Sequence, residues 1–224
     1  MTNEKTLAEV LRIQEALTEE NTPFAQYLCA ELVRALSDEI NAQTAKKGGK
    51  KEAQAAAMRI LKTVDEERHP HLAKALTAAD GAQVLCDGYR LVKLPEGLPL
   101  PEHTEPELIQ RGREFIPNAE KLLSKAAGNL GENKPAPDLA KIKNFIAIEK
   151  AKAAAHHSRL RQAPFEIVPG GWCDALLLVD ILQILDAPVM RFSVADNWQV
   201  QPIYFEAANG CALLLPMRKP AGVE

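Results

Sequence analysis

Residues 173–218, CDALLLVDILQILDAPVMRFSVADNWQVQPIYFEAANGCALLLPMR, decide the fold. Residues 173–186 are almost wholly apolar, which predicts a helix packed on most of its sides. Asp174 stands where an N-cap carboxylate would accept a backbone N–H. After Pro188 the period changes. Met190, Phe192 and Val194 alternate with Arg191 and Ser193, which predicts a strand with the first three turned inward. Ala195-Asp196-Asn197 reads as a turn, 201–208 as a strand, Asn209-Gly210 as a tight turn and 211–217 as a final strand. Upstream, Phe165-Glu166-Ile167-Val168 predicts a leading strand, and Pro169-Gly170-Gly171 turns the chain. The order is strand, helix, then three antiparallel strands. Nothing in it alternates strand and helix as a parallel sheet requires, so the fold class is α+β.

Further upstream, residues 82–86 run into Asp87-Gly88, a hairpin signal. The next strand places Tyr89, Leu91 and Lys93 on one side and Arg90, Val92 and Leu94 on the other. Pro95, Pro99 and Pro101 mark a loop. Residues 105–128 and 138–162 predict helices, separated by Pro135 and Pro137, and 51–64 predicts another. Residues 2–40 carry two apolar stripes on either side of Asn21-Thr22-Pro23, a helical pair. The expected division is a helical segment over 1–47 and a main domain over 48–224 with a helical insertion at about 103–162.

Charge is unevenly spread. The whole chain has a net charge of -3, which excludes a uniformly basic nucleic-acid binder but leaves room for a basic patch. Residues 2–40 hold three basic and eight acidic side chains, whereas 41–64 hold six basic and one acidic. Lys46, Lys47, Lys50, Lys51 and Arg59 belong to that basic stretch, and Lys141, Lys143, Lys150, Lys152, Arg159 and Arg161 form a second. These eleven are the candidate DNA contacts, with a solvated helix face as the plainer alternative. No apolar run is long enough to predict a membrane span, and MTNEKTLAEV has no apolar signal core, so a cytoplasmic protein is expected.

Motifs of catalysis are not evident. Neither GxxxxGK[ST] nor GxGxxG occurs, and GxSxG and HExxH are missing too. Cys29, Cys86, Cys173 and Cys211 lack metal-site spacing and read as buried or half-buried thiols. His69 and His71 would share a face on a strand, but no third ligand suggests itself; His156 and His157 read as part of a polar helix face. No enzyme, cofactor or metal is expected.

The chain resembles bacterial sliding clamps, the beta subunit of DNA polymerase III, at three places. Leu177-Leu178-Val179-Asp180-Ile181-Leu182-Gln183-Ile184-Leu185 resembles the YLLDVLKAL-type closing helix, and Leu213-Leu214-Leu215-Pro216-Met217-Arg218 resembles the final MPMR-type motif. Leu85-Cys86-Asp87-Gly88-Tyr89-Arg90-Leu91 resembles the ATDGYRLA-type strand–turn–strand. The resemblance implies a DNA clamp-like β-α-β-β-β unit. It also implies a pocket for short linear motifs of polymerases or other replication and repair proteins, built from Cys86, Gly88, Tyr89, Arg90, Leu91, Leu213, Leu214, Leu215, Pro216, Met217 and Arg218. Leu91, Leu213, Leu215, Pro216 and Met217 would supply its floor, and Arg90 or Arg218 a hydrogen-bonding rim. Duplex DNA and a homo-oligomeric ring come with the family. The matched stretches, about 50–94 and 165–218, together amount to one clamp domain, and helix 173–186 carries Asp174, Asp180 and Asp186 with no Lys or Arg. A scaffold that shares only the fold, with its N-terminal helices as the partner surface, is the alternative.

Overall fold

A two-residue reversal at Gly88-Tyr89, flanked by Asp87 and Arg90 and with Gly88 at φ +87°, folds two strands onto each other and seeds the main sheet. The computed structural model describes residues 49–218; the expected helical segment over 1–47 lies outside them. The first helix, α1, covers 49–62. Next come β1 (Leu76–Thr77), β2 (Gln83–Cys86), β3 (Arg90–Leu94) and the long helix α2 (Pro106–Ala127). β4 (Lys134–Pro135), α3 (Leu139–Ala155), β5 (Pro164–Val168) and β6 (Gly171–Asp174) follow. The chain closes with α4 (Ala175–Ile184), β7 (Val189–Arg191), β8 (Ile203–Ala207) and β9 (Gly210–Leu214). This mixture of helices with a large antiparallel sheet is an α+β fold. None of the described helices is long and apolar enough to cross a membrane.

Seven strands pair in the order β1-β2-β3-β9-β8-β7-β4. Strand alternation then splits the core in two. Val92, Leu94, Ala212, Leu214, Ile203 and Phe205 face one cluster, shared with Ile60 of α1, Ile142 of α3 and Leu178 and Ile181 of α4. Val84, Leu91, Tyr204 and Leu213 face the other, shared with Ile116, Ala119 and Leu123 of α2. The sheet is therefore sandwiched between helices on both faces. Each fully buried Leu or Ile contributes about 1.5–3 kcal/mol, so these layers carry most of the stability.

Four expectations change. The leading strand does not join the main sheet: β5 turns back at Gly170, φ +79°, and pairs with β6 in a separate two-stranded ribbon. The apolar helix accordingly starts at Ala175, with Asp174 as its N-cap, its carboxylate accepting from the Leu176 N–H at 2.9 Å. α3 stops at Ala155, because His157 adopts φ +51° and leaves Ser158 to cap the last turn. Val194 points outward, since β7 ends at Arg191 and the chain then crosses to the residues after α2. The insertion is also more than helical: β4 forms the edge of the main sheet, where Pro135 leaves no ladder donor missing.

His69 and His71 sit around a short 3-10 turn begun by Pro70 rather than on a strand. The His71 ring packs edge-on against Phe115 of α2, and its backbone carbonyl accepts from His103 Nε2 at 3.1 Å. Burial, then the neighbouring Arg111, hold the His71 imidazole below its ordinary pKa. Its neutral form is thus favoured by folding. That stability is present above the ordinary imidazole range and is lost as pH falls through it. Thermal melts should show a lower Tm at pH 5 than at pH 7.5, and His71→Gln should flatten that difference. Gly210 offers a second check. Its φ is +151°, and an added Cβ would stand 2.5 Å from the Lys93 carbonyl. Gly210→Ala should destabilise the protein by roughly 1–3 kcal/mol, read as a lower urea midpoint at unchanged slope.

Candidate interaction groove

An arginine in an apolar strand and an aspartate in an apolar helix have to meet or remain unpaired in the core. Here they meet. Arg90 is 2% exposed. Its Nη1 donates to Asp180 Oδ2 at 2.5 Å, and Nε and Nη2 donate to Asp87 Oδ2 at 3.0 and 2.6 Å. Nη2 also donates to Thr63 Oγ1 at 3.1 Å. The other oxygen of Asp87 accepts from the backbone N–H groups of Tyr89 and Arg90, which fixes the hairpin turn. Asp180 Oδ1 accepts from Arg59 Nε at 2.7 Å, and Arg59 Nη2 reaches Gln183 Oε1. Two arginines on α1 and β3 are thereby tied to one carboxylate on α4.

A groove of about 750 Å³ opens beside this network. α1 lines it with Arg59 and Lys62, and Thr63 follows in the turn after it; α3 adds Lys143, Ile146, Ala147 and Lys150. The chain after α3 adds Arg159 and Arg161, which stand on an irregular segment because the helix ended early. The floor is the outer side of α4: Leu176, Leu177 and Val179, all half-buried. That apolar helix was expected to be packed on most sides, and these three side chains do pack partly against the core, with the rest of their surface turned to the groove. Asp174 and Asp180 are the acidic lining residues, and both are buried and engaged. Of the cations, Arg59 and Arg90 serve Asp180, and Lys143 pairs with Glu52 at 3.2 Å. Lys62, Lys150, Arg159 and Arg161 make no salt bridge to any described residue.

Five of the eleven residues read as DNA contacts thus share one groove: Arg59, Lys143, Lys150, Arg159 and Arg161. Lys50, Lys51, Lys141 and Lys152 are exposed elsewhere, Lys152 beside Glu149, while Lys46 and Lys47 lie outside the described residues.

The residues read as a peptide pocket divide in a different way. The two motifs do lie side by side: Arg90 is in register with Leu214, and the Leu215 N–H donates to the Tyr89 carbonyl at 2.9 Å. Arg90 itself is no rim donor, because its guanidinium is spent inside. Leu91 and Leu213 are interior residues of the cluster shared with α2, and Leu214 belongs to the opposite cluster. Tyr89 at 61% and Leu215 at 43% exposure remain accessible, with Pro216 and Met217 half-buried and Arg218 exposed. The Met217 N–H donates to the Trp172 carbonyl of β6. Cys86 is half-buried, and burial raises its thiol pKa; burial pushes that of Cys173 up to about 12, so folding favours the thiol over the thiolate at both.

The α4 floor escaped notice in the sequence because an apolar run shows only that a helix is buried, not which flank stays open. The Arg90–Asp180 pairing did leave a signal, an arginine at the head of a buried strand and a single acid inside an apolar helix. No family model, curated protein or solved structure matches this chain.

Replacing Arg90 by Met would leave two carboxylates without their buried cation. Arg90→Met should cost about 3–5 kcal/mol of unfolding free energy in urea titrations.

Proposed function

We propose that this chain is a non-catalytic, sliding-clamp-like protein that binds short peptide motifs of DNA replication or repair proteins. The observation that carries this is the lateral pairing of the two motifs that resemble the clamp's peptide pocket. Asp87–Leu91 and Leu213–Arg218 are far apart in sequence but meet where β3 begins and β9 ends, joined by the pairing of Arg90 with Leu214 and by the bond from Leu215 to Tyr89. The run of helix α4 and strands β7, β8 and β9 accords with the closing part of a clamp unit.

The accessible part of the pocket is narrower than the motifs suggest. Tyr89, Leu215, Pro216 and Met217 offer an apolar edge, and Arg218 a cation beside it. A short peptide with one or two large apolar side chains suits such an edge, and methionine adapts to varied shapes. Leu91 and Leu213 contribute by holding the two strands in place beneath α2.

Duplex DNA and a ring of several copies belong to the same family likeness. The charge placement carries them less far, since Arg59, Arg90 and Lys143 are already paired internally. The scaffold alternative turns on residues 1–47, which lie outside the described ones.

A labelled peptide of the clamp-binding type should raise fluorescence anisotropy with a Kd on the order of 1–100 μM. Leu215→Asp or Met217→Asp should abolish the signal while the far-UV circular dichroism stays unchanged. Failure of the parent protein to bind at the top of that range would overturn the reading.

A further inference from the structure

From the groove between α1, α3 and α4 we infer a second docking site, one for an acidic amphipathic helix of a partner protein. It is separate from the Tyr89–Met217 edge and does not depend on it.

Two features point to such a ligand, and each restricts the other. The first is the floor. Leu176, Leu177 and Val179 present an apolar flank on a helix that has no Lys or Arg of its own. Ile146 and Ala147 of α3 extend that surface. Apolar surface of this kind gains from contact with apolar side chains and gains nothing from phosphates. The second is the rim. Lys62, Lys150, Arg159 and Arg161 stand around the floor with no salt bridge to any described residue. They come from three separate segments, so their convergence is a product of the fold rather than of one basic run.

A nucleic-acid backbone would satisfy the rim and cover the floor with charge. A neutral apolar helix would fill the floor and leave four cations crowded at its edge. A helix with Leu or Phe on one face and Asp or Glu flanking it satisfies both, which is the helix-in-groove mode of recognition. The two acidic lining residues do not compete, since Asp174 caps α4 and binds the Ala163 N–H, and Asp180 binds Arg90 and Arg59. Charge complementarity then sets orientation and speeds encounter, while the floor supplies affinity.

The test uses the full chain and three labelled probes in anisotropy titrations. The first is a synthetic peptide with Leu at i, i+3, i+4 and i+7 and Glu at most other positions; the second has the same charges with Ser in place of Leu; the third is a short DNA duplex. The Leu/Glu peptide should bind, and the Ser version should bind at least tenfold more weakly. Lys150→Glu combined with Arg159→Glu should weaken the Leu/Glu peptide at least tenfold, as should Leu177→Ser. Neither change should alter binding of the clamp-type peptide, and Met217→Asp should leave the Leu/Glu peptide unaffected. The clamp-type peptide can therefore fail while this site stands, or the reverse. No binding of the Leu/Glu peptide, equal binding of the Ser version, or duplex binding that the Lys150/Arg159 variant abolishes and the Leu/Glu peptide does not compete would each overturn the inference.

Discussion

The carboxylate of Asp180 is shared between Arg90 and Arg59, and three parts of the molecule meet there. β3 brings Arg90, α1 and the turn after it bring Arg59 and Thr63, and α4 brings the acid. Asp87 closes the set from the hairpin turn. The side chains of Arg90, Asp87 and Asp180 are 5% exposed or less, so water does not screen them. Such a buried set need not be more stable than a hydrophobic one of equal volume. Its effect is on geometry. A guanidinium has directional donors, and the four bonds Arg90 makes to Asp87, Asp180 and Thr63 fix how far α1 and α4 sit from the sheet and from each other.

From that fixed spacing the groove follows. α4 is held by its acidic inner side and by Leu178 and Ile181 against the sheet, which leaves its opposite flank turned outward. α3 packs through Ile142 and Ile146, and its early end at His157 swings Arg159 and Arg161 across the opening. One network therefore both consumes two of the local arginines and sets the position of the cations that remain free of described partners.

The same sheet treats its two faces differently. On one side three helices pack and leave a groove between them. On the other, α2 lies over Leu91, Leu213 and Tyr204. A motif that resembles a peptide pocket is therefore largely roofed by the chain itself, and only its end at Tyr89 and Leu215 is open. Side-chain alternation explains the rest: Arg90 and Leu214 face the layer of α1, α3 and α4, whereas Leu91 and Leu213 face α2.

Much of the fold was legible in the sequence. The period of two from Tyr89 to Leu94, the turn signals around Asp87-Gly88 and Asn209-Gly210, and the apolar run over 173–186 are local properties, and each produced an element of the expected kind, the helix shortened to Ala175–Ile184 and the second turn centred on Ala208-Asn209. Asp174 as a cap was local too. What the local pattern did not contain was pairing and coverage. Whether Phe165–Val168 joins the main sheet depends on which backbone partner lies nearest, and Gly171–Asp174 lay nearer. Which flank of an all-apolar helix stays open depends on the helices beside it. Whether Arg90 faces a ligand or a buried acid depends on an aspartate ninety residues away. Periodicity and turn chemistry act over a few residues and are written in the sequence. Burial and ion pairing act through space, and only the tertiary structure decided them.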